Sequence, residues 1–148
     1  MYERILVATD GSDLSEKAVT SAIDLAKLAG SELIAVTVAA RHQTSHVEGA
    51  LLYSVDEVDR MQEKTDRHAQ QLVDAVCSTA SAKGVGQTRA VVMKSNHVAE
   101  SIIEAARSHN CELIVMASHG RRGLRRLLMG SETLHVLTHS HTPVLVLR

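Results

Sequence analysis

Tryptophan and phenylalanine are absent from this chain of 148 residues, and Tyr2 and Tyr53 are its only tyrosines. A chain of about this size buries roughly 70% of its unfolded surface, so the core has to be built from Val, Leu, Ile, Ala and Met. That palette suits buried parallel strands under covering helices. An excess of charge is missing too: 16 Lys and Arg stand against 17 Asp and Glu. Nothing global therefore steers the molecule toward nucleic acid or an acidic membrane face, and any basic feature acts locally. Cysteine is scarce. Cys77 and Cys111 are far apart, belong to no C-x-x-C, and read as two ordinary thiols of a reducing compartment. Apolar runs long enough to span a bilayer are lacking, and "MYERILVATD" has none of the charged-then-apolar design of a signal peptide. A cytoplasmic location is expected.

What is present is a set of short apolar runs rich in branched residues: Arg4–Thr9, Glu32–Val38, Arg89–Met93, Glu112–Ala117 and Pro143–Leu147. Each has strand length, and most are apolar on both faces, as a sheet covered on both sides requires. Helical spacing fills the intervals. Asp13 with Glu16 reads as a capping box, opening a helix whose stripe is Ala18, Val19, Ala22, Ile23 and Ala26 and which Gly30 stops. A longer helix from Asp56 to Lys83 carries Val58, Met61, Leu72, Val73, Val76 and Ala80 and ends in "KGVG". Cys77 falls on its apolar stripe, where a small buried hydrophobe is expected. A third helix, His97 to His109, turns Ile102, Ile103 and Ala106 inward and has Asn110 as a left-handed cap. A fourth runs from Ser131, an N-cap type, to Ser140. The alternation predicts an α/β fold with an open five-stranded parallel sheet and helices on both faces. Residues Ala39–Ser54 show no strong periodicity and are expected to be a loop. With no repeat or low-complexity segment, residues 1–148 are expected to form one domain.

In such a sheet ligands bind beyond the carboxyl ends of the strands, where the strand order reverses. The first strand runs into "TDGSDLS" and the fourth into "ASHGRRGLRRLLMGS". A glycine-rich turn leading to a helix N-terminus offers bare N–H groups and the positive end of a helix dipole, both suited to phosphate oxygens. Gly120, Gly123 and Gly130 permit close backbone approach, and Ser131 adds a hydroxyl. Glycine clusters also serve as plain turn punctuation, and this one fits neither G-x-G-x-x-G nor G-x-x-x-x-G-K-[ST].

Over nearly its whole length the chain resembles the universal stress protein family, through "ILVATDGSDLSEKAVTSAIDLAKLAGSELIAVTV" and through the C-terminal stretch from Ala99 to Arg148. The ATP-binding members carry G-x2-G-x9-G-[ST], which here reads Ala117-x2-Gly120-x9-Gly130-Ser131. The resemblance implies a Rossmann-like, adenine nucleotide alpha hydrolase-like fold with strand order 3-2-1-4-5. It also implies a site for ATP, ADP or AMP, with Mg2+ accompanying the phosphates. Ala8, Thr9 and Asp10 would line the adenine and ribose end, Val38 would contact the adenine, and Met116 and Ala117 would lie beside the ribose. Gly120, Gly130, Ser131, Glu132 and Thr133 would surround the phosphates, with His119 and Arg121 of the same loop among the nucleotide-binding positions. It implies, finally, a homodimer through the last strand, Pro143, Val144, Leu145, Val146 and Leu147. Ala117 departs from the pattern: it adds a methyl where the backbone is expected to pass close to the sugar, and a positive φ there would penalise alanine.

Competing readings attach to several residues. Asp10 is equally suited to a turn or cap. Arg121, Arg122, Arg125 and Arg126 suit a solvated face as well as phosphate. His135, His139 and His141 invite a metal, yet no Cys or acidic partner stands in a recognised spacing, so none is expected. Ser118 and His119 are adjacent, but "MASHG" lacks the first glycine of a nucleophile elbow. Catalysis is not expected beyond slow ATP hydrolysis. The function expected is that of a nucleotide-binding stress-response regulator whose occupancy biases loop order and partner binding. A nucleotide-free dimeric interaction module is the alternative.

Overall fold

The computed structural model describes residues 1–47, 49–120 and 129–148. Along the chain these form β1 (Arg4–Ala8), α1 (Asp13–Ala29), β2 (Glu32–Ala39), β3 (His46–Val47), β4 (Ala50–Leu51), α2 (Val55–Ala82), β5 (Gln87–Lys94), α3 (Val98–Ser108), β6 (Leu113–Ala117), α4 (Ser131–His139) and β7 (Val144–Leu147). Five strands make one parallel sheet in the order β5-β2-β1-β6-β7, which is 3-2-1-4-5 for the sheet strands taken in chain order. At its centre Val7 pairs with Ala35 on one side and with Val115 on the other. The fold is the one that the alternating pattern and the family resemblance both pointed to.

Alternation along each strand splits the core in two. Ile5, Val7, Leu33, Ala35, Leu113 and Val115 pack under α1 and α2. Leu6, Ile34, Val36, Ile114 and Met116 pack under α3 and α4. The first-helix stripe predicted from spacing is buried in full. Fully burying one such aliphatic side chain contributes about 1.5–3 kcal/mol, so the doubly covered central strands anchor everything at the sheet's edge. Cys77 is only half-buried against the first cluster.

The helix ends differ in detail from expectation. Ser12, not Asp13, caps α1, its hydroxyl accepting from Ser15 N–H at 3.3 Å. A reciprocal capping box does exist, but on α2: Ser54 Oγ accepts from Glu57 N–H and Glu57 Oε2 accepts from Ser54 N–H. Gly130 rather than Ser131 is the N-cap of α4. Asn110 is left-handed at φ 52° after α3, as expected. The segment read as a loop from Ala39 holds the antiparallel pair β3 and β4, whose two-residue strands are too short to leave an alternation in the sequence. That segment is tied to α2, because His42 N–H donates to Gln62 Oε1 at 2.9 Å and the His42 ring meets Thr65 Oγ1 at 2.8 Å.

Gly30 ends α1 at φ 70°, and a Cβ built there meets nothing within 4 Å. Gly30→Ala should therefore cost backbone strain alone, about 1–2 kcal/mol, read as a fall of a few degrees in the thermal midpoint. A second outcome follows from Cys111, whose thiol is pushed from near 9 up to about 11, chiefly by burial and against the lowering influence of Arg4. Iodoacetamide at mildly alkaline pH should label Cys111 rapidly only in the unfolded chain. Because the unfolded thiol loses its proton first, this group's contribution to stability should fall as pH rises through the window between those two values.

Candidate functional site

Where the strand order reverses, β1 and β6 lie side by side with their carboxyl ends at one edge of the sheet. The chain leaving β1 is a compact polar turn. Thr9 N–H donates to Val36 O at 3.0 Å, prolonging the ladder by one step. Its hydroxyl accepts from Gly11 N–H at 3.2 Å and meets Ser15 Oγ at 3.0 Å. Asp10 Oδ1 accepts from Ser12 N–H at 2.9 Å, an Asx-type turn that aims the chain into α1. Gly11 supplies the positive φ, 77°, that this turn needs.

The chain leaving β6 is held as a closed excursion. Ser118 N–H donates to Leu147 O at 2.8 Å, and Gly130 N–H donates back to Ser118 O at 2.8 Å. Thr133 Oγ1 donates to Ala117 O at 2.9 Å, fixing the start of α4 against the end of β6. The two glycines of the spaced pattern have separate steric reasons. A Cβ on Gly130 would stand 3.1 Å from Ser118 O and 3.5 Å from His119 Cα. A Cβ on Gly120 would stand 2.7 Å from Asp10 Oδ2, closer than real Cβ contacts come. The Gly120 backbone thus lies directly on the Asp10 carboxylate and joins the two turns.

Beside that contact, His119 Nδ1 lies 2.9 Å from Ser118 Oγ. His119 Nε2 is buried and has no hydrogen-bond partner among the described residues. A buried polar atom left unpaired costs about 1–3 kcal/mol, which singles out this atom beside the loop.

The other residues anticipated from sequence take distinct positions. Ala8, Val38 and Met116 belong to the α3 face of the sheet, with Val38 half-buried opposite Met93 and one residue before the end of β2. Ala117 packs in the cluster under α1. Asn110 is the non-glycine residue with positive φ among the described residues, so Ala117 needs no left-handed backbone. The methyl that departs from the glycine pattern is taken up by the core. Glu132 Oε2 accepts from Ala99 N–H at 2.8 Å, supplying the start of α3 with a cap that His97 does not provide. Thr133 is buried and committed to Ala117 O, whereas Ser131 is exposed in the first turn of α4. Arg121 lies outside the described residues, as do Arg122, Gly123, Arg125 and Arg126.

Sequence reasoning passed over Ser15 and Ala99 and weighed Ser118 only as a nucleophile; their parts are played by hydrogen bonds rather than by any spaced motif. Among the described residues no group of three His, Cys, Asp or Glu is arranged to hold a metal ion. His135 and His139 stack at 4.1 Å, with His135 Nε2 3.4 Å from Glu100. An open cleft of about 530 Å³ over Met93, Ser95, His97 and Glu100 lies at the β5 end of the same edge, away from Asp10 and Gly120.

The model of the universal stress protein family matches residues 1–148. Universal stress protein YxiE of Bacillus subtilis is 30% identical over 150 residues, spanning 100% of both chains. Universal stress protein UspA from Lactobacillus plantarum superposes with a TM-score of 0.83 at 23% identity, covering 99% of this chain and 98% of that one. A universal stress protein in complex with cAMP gives 0.71 at 23% identity, with 99% and 97% covered. One from Archaeoglobus fulgidus in complex with dAMP gives 0.62 at 17%, with 99% and 98% covered. At these identities the structural likenesses speak for the fold, and no helix among the described residues is long and apolar enough to cross a membrane. By the match along its full length, this chain belongs to the universal stress protein family.

Proposed function

We propose that the chain binds an adenine nucleotide, ATP, ADP or AMP, at the carboxyl edge between β1 and β6, and acts as a cytoplasmic stress-response regulator. The observation that carries this reading is the buried His119 Nε2 without a partner among the described residues, beside the Gly120 backbone seated on Asp10. Phosphate oxygens are suitable acceptors for an imidazole N–H and for N–H groups in the first turn of α4, which starts at Ser131. The Asp10 carboxylate suits a ribose hydroxyl, and a nucleotide carrying several phosphates would bring Mg2+ to offset the charge there. Val38, half-buried near the end of β2, offers apolar surface on the α3 face of this edge, over the buried Ala8 and Met116. The cAMP and dAMP complexes of two structural neighbours support an adenine nucleotide as the ligand class. Nucleotide occupancy would bias loop order and so partner binding. The regulator would act as a homodimer paired through β7, which ends the sheet and leaves Leu145 exposed, with Leu134 and Leu137 of α4 exposed as well.

Isothermal titration should give saturable heat with at least one of ATP, ADP and AMP, and denaturing the purified protein should release adenine nucleotide; the absence of both would sink the reading. Gly120→Val should abolish binding, since its side chain takes the space of the Asp10 carboxylate. His119→Ala should weaken binding roughly tenfold, the loss of one hydrogen bond to a charged group. Ala117→Gly should leave affinity unchanged and reduce stability by roughly 0.5–1 kcal/mol, because the methyl belongs to the core. Light scattering should report a dimer that Leu145→Glu converts to monomer; a monomeric wild type would remove the β7 pairing from the proposal.

A further inference from the structure

At the opposite, amino-terminal edge of the sheet a cleft of about 210 Å³ is lined by Arg4, Glu32 and Arg89 from three adjacent strands and by His109 and Asn110 at the end of α3. The strand residues share one face: Arg4 pairs with Glu32 and Arg89 with Ile34, and each stands two residues before Leu6, Ile34 or Val91, which pack under α3 on that same face. Both arginines are oriented through Nε alone. Arg4 Nε donates to Asn110 O at 3.1 Å, and Arg89 Nε donates to Glu32 Oε1 at 3.1 Å. The Nη groups of the two guanidiniums make no hydrogen bond among the described residues, so two forks of charged donors stand pre-oriented at one cleft.

The charge balance favours an anion. Two guanidiniums against the single Glu32 carboxylate, whose side chain is 14% exposed, leave the lining with one positive charge. The negative end of α3 is already covered. Ala105 O, Ala106 O and Arg107 O accept from the N–H groups of His109, Cys111 and Asn110, and Asn110 O accepts from Arg4. Guanidinium edges fit phosphate and carboxylate oxygens in paired hydrogen bonds, and a fork already fixed through Nε loses little further freedom on binding.

We propose that this cleft is a second binding site, for a compact phosphate-type oxyanion gripped by the Nη groups of Arg4 and Arg89, separate from the nucleotide edge and independent of it. The test is titration of the full-length ¹⁵N-labelled protein with inorganic phosphate. Saturable amide shifts are expected at Glu32, Arg89 and Asn110 in the millimolar range, with Gly120 and Gly130 not required to move. Arg89→Gln, at a largely exposed side chain that leaves the fold intact, should weaken that response roughly tenfold, and Arg89→Lys, which keeps the charge but not the fork, should weaken it less. Methyl phosphate binding as well as free phosphate would assign the cleft to a phosphate ester; much weaker binding would assign it to free phosphate. Shifts confined to the Gly120 and Gly130 edge, no shifts at all, or equal affinity in Arg89→Gln would overturn the proposal.

Discussion

The Gly120 backbone rests on the Asp10 carboxylate, two residues far apart in sequence that meet only because β1 and β6 are neighbours in the sheet. Everything distinctive at the carboxyl edge depends on that adjacency. It requires the chain to go from β1 out to β2 and β5 on one side and then return to place β6 on the other. Right-handed crossovers put α1 and α2 on one face and α3 and α4 on the other, and the reversal leaves a crevice between the two turns. The doubly buried central strands hold that crevice in place: Val7, Ile34 and Val115 have no exposed surface.

Around the same edge a belt of short polar contacts links neighbouring elements. Glu132 of α4 caps the start of α3 through Ala99 N–H. Asn96, just before α3, accepts from Arg41 N–H at 2.8 Å and donates to Arg41 O at 3.2 Å, tying it to the segment after β2. Lys94 at the end of β5 reaches Asp66 of α2 at 2.6 Å. Exposed pairs of this kind contribute little stability singly; their effect is to fix the relative positions of the segments that frame the crevice. Glu132 illustrates the division of labour. The family resemblance implied phosphate contact for it, while its carboxylate is engaged in holding two helices together.

Much of this was legible beforehand. Branched apolar runs marked the five sheet strands, and the stripe from Ala18 to Ala26 marked α1, because burial on a face imposes a period that a sequence must display. Gly30 and Asn110 marked helix ends because few other residues tolerate left-handed backbone. The caps were harder to read. Asp13 and Ser131 were expected where Ser12 and Gly130 are the caps, and one residue of difference in where a helix begins leaves almost no trace in composition. The β3 and β4 pair was silent for a related reason, since two residues per strand cannot show an alternation.

Ala117 marks the boundary between the two kinds of information. The sequence by itself determined the fold class, the order of elements and the glycine spacing that drew attention to the edge, since those depend on periodicity and on the special backbone freedom of glycine. Which way the Ala117 methyl turns was decided by the tertiary structure. Strand alternation sends it into the core under α1, and the bond from Thr133 to Ala117 O holds the strand end there. Tertiary structure likewise brought Gly120 onto Asp10 and left His119 Nε2 buried without a partner among the described residues. Distances between residues remote in the chain follow from how layers pack, and packing is a property of the whole molecule.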